Sequence, residues 1–132
     1  MKKHIPIILA AVIMISAVIY AGINRIMIGS VESVKKDFFN VVSGTKEKGI
    51  DYGALERYDY SRYFEIKTVD DLSLEIGSAS HNSGEGYMNV VYSFELNKND
   101  KDHSVGAGGV EARWYIRKDG DRWIVYDIEE AP

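Results

Sequence analysis

The chain has 132 residues, with 16 Lys and Arg against 20 Asp and Glu and a net charge of −4. That length holds one modest domain and excludes a second full one, and the charge balance speaks against a broad basic face for nucleic acid. Cysteine is absent, which excludes disulfides, thiolate metal sites, a cysteine nucleophile and a lipid-modified N-terminal cysteine.

Residues 1–4 are a short basic start, and Ile5 to Ile23 then reads IPIILAAVIMISAVIYAGI without a charge. At about 1.5 Å per helical residue this stretch spans about 28 Å, the hydrocarbon core of a bilayer. A cleaved signal peptide competes with this reading. Its apolar region usually has only about 7–15 residues and ends in small-x-small, whereas the available cuts place Ile19, Tyr20 or Met27 at the outer small position. The expectation is therefore a cytoplasmic start at 1–4, a transmembrane anchor over 5–25 and an extracytoplasmic domain over 30–132. Lys2 and Lys3 on one flank against Arg25 on the other put the N-terminus inside. Residues 30–132 hold 13 basic and 20 acidic side chains, a net −7, so repulsion from an anionic leaflet favours a domain standing away from the membrane.

Ser30 is a candidate N-cap for an amphipathic helix in which Val31, Val34, Phe38, Val41 and Val42 recur at helical spacing, ended by Ser43-Gly44-Thr45. A weaker helical stretch runs through Tyr52, Ala54, Leu55 and Tyr58 toward Phe64. The period then becomes two: Leu72, Leu74 and Ile76, and, beyond a polar turn at 81–86, Met88, Val90, Tyr92, Phe94 and Leu96. A polar connection at 97–109 leads to strands over 110–117 and 123–128, joined at Asp119-Gly120, a strong hairpin signal. The predicted fold is α+β, with helices packed on one face of an antiparallel sheet of about four strands. Val34, Phe38, Val90, Tyr92 and Phe94 are its expected core.

The tail ARWYIRKDGDRWIVYDIEE, following DYGALERYDYSRYF, resembles the nuclear-transport-factor-two-like families of the cystatin-like superfamily. The resemblance implies helices resting in a curved sheet, a cystatin-like cone. That superfamily includes polyketide cyclases, ketosteroid isomerases, transport factors, a domain of the methicillin-resistance transpeptidase and single-span assembly proteins of type IV secretion systems, and fold alone does not choose among them.

Enzymes of this kind place a carboxylate and phenols in an apolar cone. Tyr58, Tyr60, Tyr63 and Tyr92 are candidate donors and Asp127 a candidate acid, yet the inward residues of 88–96 include no acid. Rings that pack beneath the sheet with hydroxyls at water explain these tyrosines more simply. His4, His81 and His103 are scattered, which predicts no metal site. A calcium loop over 97–102 fails because Val105 falls where the sixth-position glycine belongs when the loop starts at Asp100, and Lys101 falls on a ligand position when it starts at Asn97. Gly106-Ala107-Gly108-Gly109 is not a dinucleotide cradle, since Glu111 takes the place of the third small residue and a strand follows; a flexible lead into that strand is expected. No cofactor is predicted.

What remains is a non-catalytic, membrane-tethered interaction module of the bacterial cell envelope, such as an accessory of a secretion, conjugation or wall-synthesis complex. The alternative is a small apolar ligand-binding protein or enzyme using the cone. A two-residue Asp119-Gly120 turn would set Trp123 opposite Ile116 and Val125 opposite Trp114. Tyr115, Ile124, Tyr126 and Ile128 then lie on the other side, among Arg113, Arg117 and Arg122. Tyrosine and arginine on an apolar patch are typical of a protein-binding face. Arg113, Tyr115, Ile124, Tyr126 and Ile128 are thus the predicted partner-binding residues, for an envelope protein or a second copy, unless arginine stems and the loop 97–109 cover them.

Overall fold

The computed structural model describes residues 5–131, with the side chains of 10–131; the basic start at 1–4 and its cytoplasmic assignment lie outside the described residues. The chain is α+β: an apolar N-terminal helix, a second helix, two 3-10 turns and a curved four-stranded antiparallel sheet.

Helix α1 runs from Ile5 to Ser30 without a break, and its stretch Ala10–Ser30 is long and apolar enough to cross a membrane. No linker follows. Met27 and Ile28 already pack against the domain core, so α1 passes from the apolar segment straight into the fold. Ser30 does not cap the next helix. It is the last residue of α1, its Oγ donating to Met27 O at 2.9 Å and lying 2.6 Å from His81 Nε2. Val31, fully buried, holds the N-cap position of α2 (Glu32–Ser43), with no side-chain cap. Along α2 the helical period delivers Val34, Phe38, Val41 and Val42 to the interior, and Thr45 N closes the helix on Asn40 O at 2.9 Å.

The weaker helical stretch is two 3-10 turns, Gly53–Tyr58 and Tyr60–Arg62, separated by Asp59 in extended conformation. Four strands follow in spatial order β1 (Val69–Asn82), β2 (Glu85–Leu96), β3 (Val105–Asp119) and β4 (Arg122–Glu130). Their inner face carries Leu74, Ala79, Met88, Val90, Tyr92, Phe94, Trp114, Ile116 and Val125, all buried against α2 and the first 3-10 turn. Register shifts interrupt every ladder, and such bulges bend and twist a sheet around its inner layer. Gly106 to Gly109 lie within β3, where Gly109 N donates to Ser93 Oγ at 2.8 Å; the expected flexible lead is a bulged piece of strand.

The last hairpin differs from the expected register. Asp119 pairs with Arg122, so Gly120 and Asp121 are the central turn residues, and Gly120 has the positive φ of 62° that a type II′ turn requires first. Ile116 therefore pairs with Val125 and Arg117 with Ile124. A bulge at Tyr126 then shifts the parity, so that Trp114 pairs with Ile128 and Ala112 with Glu130.

Both sheet edges are covered in part. Along β1, Asn24 of α1 donates from Nδ2 to Gly77 O and accepts at Oδ1 from Ala79 N, each at 3.3 Å. Its carboxamide thus takes the place of a neighbouring strand. Along β4, Gly53 crosses so closely that a Cβ there would lie 2.2 Å from Val125 O and 2.7 Å from Ile124 Cγ2, at φ +57°. Gly49 also has positive φ, +78°, but open space around it. Gly49→Ala should cost about 1 kcal/mol for left-handed strain, and Gly53→Ala about 3 kcal/mol or more, because overpacking adds to the strain. Urea unfolding of both variants in detergent micelles checks this; equal losses would mean that the close approach to β4 is not real.

Candidate functional site

The outer, helix-free face of the sheet holds three of the five predicted contact residues. Arg113 lies over the Tyr87 ring, 4.2 Å from its centroid, and donates from Nε to Asn89 Oδ1 at 3.0 Å. Tyr115 donates to Glu129 Oε2 at 3.0 Å, and its ring lies 6.4 Å from that of Tyr126, which is 44% exposed beneath the Arg117 guanidinium. Ile128 leaves this face, and Ile124, which keeps its outer place opposite Arg117, is covered there, which corrects the expectation of both as exposed contact residues. The Tyr126 bulge turns Ile128 inward opposite Trp114, and the Gly53 crossing buries Ile124 to 4% exposure. Arg122 also leaves the face, pairing with Asp37 of α2 at 2.7 Å. Burial pushes the Asp37 carboxyl up, against the pull of that guanidinium. The loop after β2 is held at the far end of the domain. Asn97, buried at positive φ, accepts from Lys67 N and Thr68 N and donates to Glu65 O and His103 O.

The inner face carries a feature that the sequence reading missed. Tyr58 and Tyr92 are both buried, and their hydroxyls donate to the same oxygen, Glu130 Oε1, at 2.8 and 2.6 Å. Burial, reinforced by the Glu130 charge, pushes the Tyr58 phenol up to about 12, and burial raises Tyr92 further. Both phenols are therefore protonated donors at neutral pH. Asp127, the acid considered from sequence, instead lies exposed with its Oδ1 accepting from Ile128 N. Tyr63 is 73% exposed, and Tyr60 packs between Phe64 and Phe94. The only sequence signal for Glu130 was strand alternation continued past a bulge, which local pattern does not reveal.

Beneath these hydroxyls the interior is occupied. Phe38, Tyr58, Tyr92 and Trp114 sit with ring centroids 5.0–6.4 Å apart, each at most 4% exposed. A groove of about 710 Å³ lies outside them, with Asn89, Val91, Glu111, Arg113, Glu129 and Glu130 in its lining. Among the described residues no group of three or more His, Asp or Glu side chains is placed to hold a metal ion. In the 97–102 segment, the Asp100 carboxylate is engaged by the backbone N–H groups of Asp102 and His103. No protein-family model, curated protein or solved structure matches the chain.

A separate polar cluster fastens the 3-10 turns. Lys46 Nζ lies 2.8 Å from both Glu56 Oε2 and Asp59 Oδ2, and Ser61 N and Oγ donate to Asp59 Oδ1. Burial would raise the Asp59 carboxyl, but the bonds from Lys46 and Ser61 outweigh it and hold it below 3.8. A depressed carboxyl stabilises the fold fully above its unfolded value, and that contribution is lost as pH falls through the folded value. Thermal melts of wild type and Asp59→Asn should therefore differ by a constant amount near neutrality and converge below pH 3.8; a gap that persists in acid contradicts the assignment. Likewise, Glu130→Ala leaves two buried phenols without their acceptor and should cost about 1–3 kcal/mol. Asp127→Ala, with no such partners, should lie within about 0.5 kcal/mol of wild type in the same urea titration.

Proposed function

We propose that the chain is a single-pass, non-catalytic interaction module of the bacterial cell envelope, a nuclear-transport-factor-two-like cone held at the outer membrane–water boundary by α1 with its N-terminus inside. The observation that carries this reading is the interior itself. The volume a ligand would need is taken by Phe38, Tyr58, Tyr92 and Trp114, while α1 is long and apolar enough to cross a membrane. Location is what such an anchor supplies: it raises the effective concentration of the domain for other envelope components.

A second reading, ligand binding or proton transfer in the cone, has one observation in its favour, the convergence of two phenols on Glu130. Weighing against it, both hydroxyls are committed to the carboxylate and the space beneath them is filled by the rings of Phe38 and Trp114. The full-length protein should stay in the membrane pellet after alkaline carbonate extraction and keep Met1. A soluble product starting near Gly22 or Ser30 would establish cleavage and defeat the anchor.

A further inference from the structure

We infer that the outer face of the sheet, on its β1 side, rests on the lipid headgroups, with Arg113 placed to take a phospholipid phosphate. This rests on the proposed insertion of α1 and names the partner of the face that carries Arg113 and Tyr115.

The direction of α1 comes first. Its last turn touches the inner face, where Ser30 meets His81. One and a half turns earlier Asn24 binds the backbone edge at Gly77 and Ala79. Earlier still, Tyr20 and Ile23 lie beside Ser78, Ser80 and Tyr87, whose side chains are on the outer face. The helix thus crosses the β1 edge from the inner to the outer side, and the segment bound for the bilayer departs on the outer side. Twenty residues from Ile5 reach Asn24, about 30 Å of helix and one hydrocarbon thickness. The hydrocarbon boundary therefore falls where Asn24 grips β1, and with no linker the outer face is carried to the headgroup layer.

Composition fits this placement. The two rows of the sheet level with the crossing read Ser80–Tyr87–Tyr115–Asp127 and Ser78–Asn89–Arg113–Glu129 from β1 to β4. The three strands nearest α1 contribute hydroxyls, an amide, two tyrosines and a cation to them; the carboxylates come only on β4, farthest from the anchor. Tyrosine and arginine are suited to the interface, where an amphipathic ring or a snorkelling guanidinium meets headgroups. Glu111 and Glu129 flank Arg113 in the 710 Å³ groove. A mixed site of this kind suits a zwitterionic headgroup, phosphate on Arg113 and ammonium toward the carboxylates, better than an anionic one, and it removes the conflict with the domain's net −7.

Because the chain lacks cysteine, Val12→Cys, Ser80→Cys and Lys101→Cys can each carry a bimane label in the full chain, reconstituted into phosphatidylcholine–phosphatidylethanolamine vesicles. A headgroup nitroxide should quench the label at residue 80 and not the one at 101, while an acyl-chain nitroxide quenches the label at 12. Adding Arg113→Glu should weaken headgroup quenching at residue 80 and leave residue 12 unchanged. Quenching at 12 with equal, weak quenching at 80 and 101 overturns the inference and leaves the anchor standing. Loss of quenching at 12 overturns both. A label at 80 shielded from the headgroup nitroxide and from aqueous iodide alike means that a protein covers this face, and quenching unaffected by Arg113→Glu removes the phosphate role; either result overturns the inference as stated.

Discussion

The packing of Phe38 is the contact on which the rest of this domain depends. Its ring, fully buried, lies 5.5 Å from Tyr58 in edge contact, 5.6 Å from Tyr92 and 5.4 Å from Trp114. One residue of α2 thereby joins the first 3-10 turn, β2 and β3. Each such aromatic pair adds about 0.5–1.5 kcal/mol beyond the area it buries. The same rings occupy the volume that a hollow sheet would offer a ligand, so the cohesion of the fold and its closed interior have a single cause. The phenol oxygens cannot remain in that apolar layer unpaired, and they emerge at its rim onto Glu130. One carboxylate oxygen thus meets the hydrogen-bonding need of two buried tyrosines.

Much of this architecture was legible in the sequence, and its legible part shares one property: it is encoded by local period. Val34 and Phe38 follow the helical repeat, Val90, Tyr92 and Phe94 follow the strand repeat, and all five are buried. What the sequence did not disclose depends on register or on remote chain. A single extra residue at Tyr126 exchanges the two faces of β4 from there onward, taking Ile128 and Glu130 inward and leaving Asp127 outside. No residue type at 126 announces a bulge. Ile124 is alternately placed as an outer residue, yet it is buried by Gly53, some seventy positions earlier in the chain. The segment through Tyr52 and Tyr58 reads as helical and is, but as tight 3-10 turns whose polar clasp, Lys46 with Glu56 and Asp59, is not local.

The long apolar helix was legible from composition alone, while its mechanical role was not. An asparagine near the end of an apolar helix looks like a polar residue at the water boundary. Its actual partners, Gly77 O and Ala79 N, lie more than fifty residues away and are backbone groups that carry no sequence signature. Edge strands with open N–H and C=O groups invite pairing with other chains, and here α1 itself supplies the cover. The register shift between Ile76 and Ser78 falls at the same place, so the strand is bent where the helix passes.

This coupling distinguishes the protein from a domain on a flexible leash. A disordered linker would let the domain sample all orientations within its reach and would supply only local concentration. In this chain Ser30 is followed by one residue and then by α2, and the last turns of α1 are themselves part of the core. Any tilt of α1 is therefore a tilt of the whole sheet, and any force on the sheet constrains the helix in return. Two edges that are partly closed, by Asn24 on β1 and by Gly53 on β4, leave little backbone for strand addition at those points. Contact with any other chain then falls to side chains on the faces and hairpins, whose direction relative to α1 is fixed by the same close contacts.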